Sequence, residues 1–310
     1  MTAPSIDVHA HHLPACYREA LVRHGHDRPD GFPHIPDWSA EEHVVAMDRL
    51  GIATSLLSIS SPGVHLGDET RDLARAVNEE GRRAVVDHPG RFGLFASLPL
   101  PDVDAAMAEI AHCCDRLQVD GFALLTNVDG TYLGDPSLAP VFRELDRRRA
   151  RMFIHPTSPP CWEHTSMARP RPMVEFLFDT TRAVVDLILT GTVARHPGIE
   201  VIVPHAGATL SMVADRVSAL SALLDVDPEV DVLRDLGRLH FDLAGFPLPR
   251  QLDALLTLTS IEHLHYGSDH PFTPEFAVEA ARQRLAEAGE PPGSLLDTLR
   301  TNTERLLRLR

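Results

Sequence analysis

The chain lacks the usual marks of a secreted, membrane-bound or nucleic-acid-binding protein. Its 310 residues hold only four cysteines, Cys16, Cys113, Cys114 and Cys161, and no CxxC pair. That usage supplies no disulfide framework and suits reduced thiols in a cytoplasmic protein. The segment MTAPSIDVHAHH has no basic stretch followed by an apolar one, so no signal peptide is expected. No apolar run approaches the roughly 18 residues of a membrane-spanning helix. Positive charge is also scarce. Lys and Arg together number 29 against 44 Asp and Glu, a formal charge of −15. This balance argues against nucleic acid or an anionic membrane as partner, since both reward basic patches. The only basic cluster, Arg147, Arg148, Arg149 and Arg151, closes a predicted helix, where cations complement the helix dipole. There is no GxSxG nucleophile turn and no Gly-rich phosphate loop.

What the chain does have is an ordinary globular composition, 44% apolar and 24% charged, with enough length to bury a core unaided. Short β-rich runs at 6–8, 54–59, 92–97, 121–125, 152–154, 199–203, 239–243 and 263–267 alternate with longer helical patterns. The helices are expected at 39–50, 69–88, 103–117, 137–149, 174–195, 210–224, 249–258 and 274–288. Eight such units predict parallel strands and an α/β fold, a single (β/α)8 barrel over 1–310. Ser39 and Glu42 form a capping box at one helix start. His-Pro-Gly phrases at 88–90 and 196–198 each stop a helix before a strand. Two insertions, about 12–37 and 157–173, follow strands and are candidate lids, because the loops after barrel strands build the active face.

The chemistry gathers at strand tips. His9 and His11 lie two apart on the first strand and so share a face. His155 ends the fifth strand, His205 the sixth and Asp269 the eighth. The C-terminal tips of barrel strands converge on one cavity, so residues from strands 1, 5, 6 and 8 become neighbours. With 18 histidines, an HxH pair arises easily by chance; four tips bearing donors in barrel order do not. Imidazole and carboxylate donors suit one divalent metal ion, Zn²⁺ first and Mn²⁺ second. His12 points away from the pair, and His270 is expected to pack beside the site. Trp38 and Phe272 are candidate walls of an aromatic pocket, with burial in the core as the alternative.

The segments DVHAHHLP, VPHAG and YGSDHP, with FASLPL at 95–100 and FDTTR at 178–182, carry a resemblance across essentially the whole chain. They resemble the amidohydrolase-related decarboxylases typified by aminocarboxymuconate-semialdehyde decarboxylase, and within these the 6-methylsalicylate decarboxylase-like members. The resemblance implies that His9, His11, His155 and Asp269 hold the metal, that His205 does acid/base work and that Asp269 can also exchange a proton. It further implies that Arg216 reaches a neighbouring subunit's site and holds a substrate carboxylate, so the active form is a homodimer or larger. Arginines that hold a second carboxylate in the muconate enzyme are replaced here by Glu41 and Val45, which argues against a dicarboxylate. The expected activity is therefore metal-dependent, non-oxidative decarboxylation of a small aromatic, salicylate-type acid. A hydrolase of an amide, ester or lactone using metal-activated water shares the same donors. A non-catalytic metal-binding barrel is the third reading.

Overall fold

The computed structural model describes residues 3–224, 226, 230–288 and 294–308. Eight strands follow one another in chain order around one sheet: β1 (Ser5–His11), β2 (Ile52–Ser58), β3 (Phe92–Ser97), β4 (Gly121–Leu125), β5 (Arg151–His155), β6 (Glu200–Val203), β7 (His240–Asp242) and β8 (Leu264–His265). All neighbouring pairs are parallel. The ring closes where Val8 N donates to Tyr266 O at 2.9 Å and His11 N to His270 O at 2.8 Å. A parallel sheet covered on both sides needs strands without a polar face, and β3 and β5 are buried at every position. Val8, Leu56, Phe95, Ala123, Phe153 and Ile202 fill the barrel interior. The fold is a (β/α)8 barrel.

The outer layer consists of α1 (Ala15–Arg23), α2 (Ala40–Leu50), α3 (Thr70–Asp87), α4 (Val103–His112), α5 (Ala139–Arg147), α6 (Glu175–Leu189), α7 (Leu210–Leu223), α8 (Gln251–Leu255), α9 (Glu275–Glu287) and α10 (Leu295–Arg308), with a few single turns between them. The α2 cap is as expected. Glu42 N donates to Ser39 Oγ at 3.2 Å, and the helix ends on Gly51 at φ 66, a left-handed position that favours glycine. Three expectations need revision. The helix expected over 174–195 breaks at Gly191, φ 68, leaving a separate turn at Thr192–Arg195. The expected 103–117 helix loosens into a wider turn over Cys113–Leu117. The insertion 12–37 is partly ordered: α1 buries Tyr17, Ala20 and Leu21 against Leu73, Ala74 and Val77 of α3.

A short helix, Val232–Gly237, and α10 fall outside the expected set altogether. The second matters for the barrel, because Leu306 plugs the apolar interior at the end away from the strand tips. The last carbonyls of a helix have no partners within it, and here a buried arginine of β5 supplies them. Arg151 donates through Nε and Nη2 to Leu306 O at 2.9 and 2.8 Å and through Nη2 to Leu307 O at 2.9 Å. Replacing it by methionine removes these donors and leaves the buried Leu306 carbonyl unpaired. Arg151→Met is expected to lower unfolding stability by about 3 kcal/mol. Urea unfolding measures this, and an unchanged midpoint would mean the plug is held by packing alone.

Candidate metal centre and its cavity

The bend of each strand tip sets the site. Asp7 is wholly buried, and its Oδ1 accepts His9 N and Ser268 N, each at 3.0 Å, while Oδ2 accepts Ser268 Oγ at 2.5 Å. This ties the tip of β1 to the segment after β8 and presents His9, His11 and Asp269 to one another. Burial pushes the Asp7 pKa up to about 7, against the hydrogen bonds from Ser268.

One donor atom from each of His9, His11, His155 and Asp269 lies within 4.8 Å of all the others. The distances from Asp269 Oδ1 are 3.1 Å to His11 Nε2 and 3.5 Å to His9 Nε2. Each imidazole is gripped from behind. His9 Nδ1 donates to Asp242 Oδ2 at 2.8 Å, His155 Nδ1 to Pro156 O at 2.7 Å and His11 Nδ1 to Ser58 O at 3.3 Å. With each Nδ1 carrying the hydrogen, every Nε2 turns a lone pair inward. His9 Nε2 is buried and has no hydrogen-bond partner. Lone pairs facing one another in a dry pocket repel unless a cation lies between them, so the donor set fits a divalent metal ion. Among the described residues no other group of three or more His, Cys, Asp or Glu donors is this close.

The electrostatics agree. Burial, aided by neighbouring His11 and His9, keeps the His155 pKa well below its usual value, which holds the ring neutral as a ligand must be. Burial alone would raise the Asp269 carboxyl. Contact with the surrounding imidazoles, His11 first, outweighs it and holds the group well below the usual carboxylate range. On His9, burial opposes a charge, but the Asp242 carboxylate more than offsets it and raises the pKa. That makes Nε2 a stronger base toward a metal.

A cavity of about 330 Å³ opens above the cluster. His155, Asp269 and His205 line it, with Phe32, Phe176, Phe246 and Phe272 among its walls. His205 lies just past the tip of β6, with Nε2 3.9 Å from Asp269 Oδ2. Phe32 comes from the first insertion and Pro172 from the second, so both segments contribute to the cavity wall. The two insertions also bind each other. Ser158 Oγ donates to Asp30, Arg171 Nε donates to Ser158 Oγ at 3.0 Å, and the Arg171 guanidinium lies 4.2 Å from the Trp162 ring centroid.

Several residues lie elsewhere than expected. Trp38 is not a cavity wall. It lines a separate groove outside the barrel, next to Glu41 and Val45, and its Nε1 donates to His43 Nδ1 at 2.9 Å. Glu41 and Val45 therefore face away from the metal cavity in this chain, and the departure noted at those positions does not shape it. Arg216 is exposed on α7 and is not among the residues lining the cavity. His12 bonds Val77 O at 3.2 Å on the outer side, and His270 stacks edge-on with His43.

The Trp38 bond has a consequence for pH. An indole N–H can only donate, so His43 must accept at Nδ1 and stay neutral. Burial, with His270 beside it, pushes its pKa down to about 3. A histidine neutral in the folded chain gains a proton on unfolding once pH falls below its unfolded value near 6.5. Its contribution is absent above that pH and destabilising below it, about 1.5 kcal/mol between pH 6.5 and 5. Comparing urea midpoints over that window, the loss should be smaller by that amount in His43→Gln, whose amide oxygen can still accept from Trp38. Parallel curves would show that His43 is not held neutral.

Sequence reading misses Asp242, which grips His9 and the backbone N–H of His205 from the tip of β7. A lone Asp in LHFDLAG carries no spacing signal, though its position at a predicted strand tip is visible. It also misses Phe176, Phe246 and Gln251, which the paths of loops and helices bring to the cavity.

A closed barrel with three imidazoles and a carboxylate converging at its C-terminal face defines a metal-centred (β/α)8 enzyme scaffold. The family model described as Amidohydrolase matches residues 6–309, and the chain belongs to that family. Decarboxylase yanB of Aspergillus niger is 36% identical over 288 residues, 87% of this chain and 77% of that protein. 6-Methylsalicylic acid decarboxylase acuB of Aspergillus aculeatus is 33% identical over 315 residues, 97% of this chain and 95% of that protein. The crystal structure of an amidohydrolase II superposes with a TM-score of 0.92 at 36% identity, covering 98% of this chain and 99% of that one.

Proposed function

We propose that this chain is a metal-dependent, non-oxidative decarboxylase of a small aromatic, salicylate-type carboxylic acid. One observation carries the reading: the donor cluster floors a cavity whose walls are largely aromatic and apolar, with no Arg among the lining residues. A flat ring with one carboxylate beside a phenol suits such a space, because a cation at the floor can meet both oxygens. A second carboxylate would find no positive partner among this chain's own lining residues. The relative acuB supports this class of substrate by its name, and yanB supports the reaction.

His9, His11, His155 and Asp269 would hold the ion, Zn²⁺ first and Mn²⁺ second by donor type. When bound, it supplies a Lewis acid and a template for the carboxylate and phenolic oxygens. The side chains do the rest. Phe32, Phe176 and Phe272 exclude water and keep the ring in a near-attack pose. The reaction needs a proton on the carbon that bears the carboxylate, and Asp269 or a water governed by His205 delivers it. The C–C bond then breaks, its electron pair restores the aromatic ring, and CO₂ leaves. The 310 residues contain no lysine, so no lysine imine can form.

Arg216 enters through a second copy. It lies on the exposed side of α7 with Met212 and Leu223, and Leu224 follows the helix end; these three apolar residues are 77%, 76% and 68% exposed. Exposed apolar side chains beside Arg216 suit a subunit contact, and a homodimer that covers them would carry Arg216 to the partner's cavity and the substrate carboxylate. Arg216→Ala is expected to raise KM about tenfold with metal content unchanged. An unaltered KM, or a monomer by sedimentation, would remove Arg216 from the site. The thiol usage supports a cytoplasmic location, and the eight chain-ordered strands support a single barrel domain.

The activity test is direct. Metal-loaded protein given salicylate-type acids should release CO₂ and the matching phenol, and chelation should stop it. Solvent ¹⁸O entering the product without CO₂ would mark a hydrolase instead.

A further inference from the structure

His205 is held differently from the other imidazoles of the site. His9, His11 and His155 each have Nδ1 bonded to a fixed acceptor. His205 Nδ1 is buried without a partner. Nothing bonded to that nitrogen sets the tilt of the ring, so its backbone must.

That backbone is unusual. His205, Ala206, Gly207 and Ala208 have consecutive φ values of 54, 51, 73 and 54. Three of the four carry a Cβ, which makes the left-handed region costly, so the segment persists only if its surroundings hold it. Two side chains do this from opposite sides. Asp242 Oδ1 accepts His205 N at 3.0 Å. Gln251, the first residue of α8, donates from Nε2 to His205 O at 2.6 Å and to Ala208 O at 3.0 Å. Both amide hydrogens of Gln251 are thus used, one at each end of the strained segment. Gln251 also lines the cavity beside His205, Ala244 and Gly245.

We propose that Gln251 is the positioning residue of His205, clamping the two carbonyls that bracket its loop so that the imidazole faces the substrate. The inference rests on the acid/base role of His205 set out above. Few other side chains can serve. The clamp needs two N–H donors on one nitrogen at this reach; asparagine is one methylene short, and glutamate turns lone pairs toward both carbonyls.

The experiment is a double-mutant cycle on the metal-loaded enzyme, reading kcat, KM and metal content for Gln251→Leu, His205→Ala and the pair. Gln251→Leu should lower kcat about 10- to 100-fold, the usual cost of a misplaced catalytic group. KM for the acid and the metal content should stay within about twofold. In the His205→Ala background the same change should alter kcat less than about twofold, because a residue acting through another loses its effect when that other is gone. Gln251→Glu, nearly isosteric, should reproduce the loss if Gln251→Leu fails to fold. An equal fold loss in both backgrounds would overturn the proposal, as would a wild-type kcat for Gln251→Leu. If His205→Ala itself retains wild-type kcat, the acid/base reading fails rather than the clamp. Amide hydrogen exchange across 205–208 then decides the clamp alone: faster in Gln251→Leu if it holds the loop, unchanged if it does not.

Discussion

Asp269→Asn is expected to lower kcat/KM about 10³-fold or more and to strip most of the metal, given that outer partners of a metal ligand alone are worth 10- to 100-fold. The side chain sits where four groups meet. Its Oδ1 faces His11 Nε2 and His9 Nε2, Oδ2 accepts Thr273 Oγ1 at 3.1 Å, and His205 Nε2 is 3.9 Å away. Its backbone is fixed independently of the carboxylate: φ is 59, and the amide donates to His9 O at 2.7 Å. An asparagine can therefore occupy the same volume without moving the chain. Its amide hydrogens would meet the inward lone pairs of His9 and His11, satisfy them and leave no anionic ligand. A urea midpoint close to wild type, with metal lost by elemental analysis, is the expected pair of results. Full metal occupancy in the variant would show that the three histidines suffice and that Asp269 serves only the chemistry.

Asp242→Asn is the second large effect, and it acts without touching the ion. Asp242 is fully buried, with Oδ2 on His9 Nδ1 and Oδ1 on the amides of His205 and Ala244, at 2.8, 3.0 and 2.9 Å. All three neighbours donate, so only a carboxylate satisfies them. An asparagine must point its NH₂ at one side. If that side is His9, the imidazole has to accept at Nδ1 and carry its hydrogen on Nε2, the wrong tautomer for binding metal. If it is the other side, His205 N and Ala244 N lose their acceptor. Metal affinity should fall about 10- to 100-fold, and kcat should fall further because the His205 loop loosens. Metal titration followed by turnover at saturating metal separates the two losses. Wild-type affinity would mean that the His9 tautomer is fixed some other way.

How much of this is legible before folding differs from residue to residue. His9, His11, His155, His205 and Asp269 can be read because each closes a β-rich run, and barrel topology then brings the tips together. The α10 helix could have been read: Ser294 sits ahead of Leu295, Leu296, Leu299 and Leu306, and Asp297 accepts from Ser294 Oγ at 2.8 Å. A count of eight units left no place for it. Trp38 misleads because an aromatic beside a helix start says nothing about which side of the barrel wall it will occupy; its partner His43 lies outside. Gln251 carries no local pattern, and Asp242 only its place at a predicted strand tip. They matter through the His9 ring and through backbone N–H and C=O groups of other segments, which sequence spacing does not encode. The cavity walls depend on how the two insertions lean on each other through Asp30, Ser158 and Arg171, a purely tertiary arrangement.

The most direct test of the account is to run metal-loaded protein with 6-methylsalicylate in D₂O and follow the product by NMR. Decarboxylation through a protonated ring carbon predicts free CO₂ and a phenol with a single deuterium at the carbon that bore the carboxylate. Unchanged acid in fully metal-loaded protein, across 6-methylsalicylate and its close analogues, would contradict it.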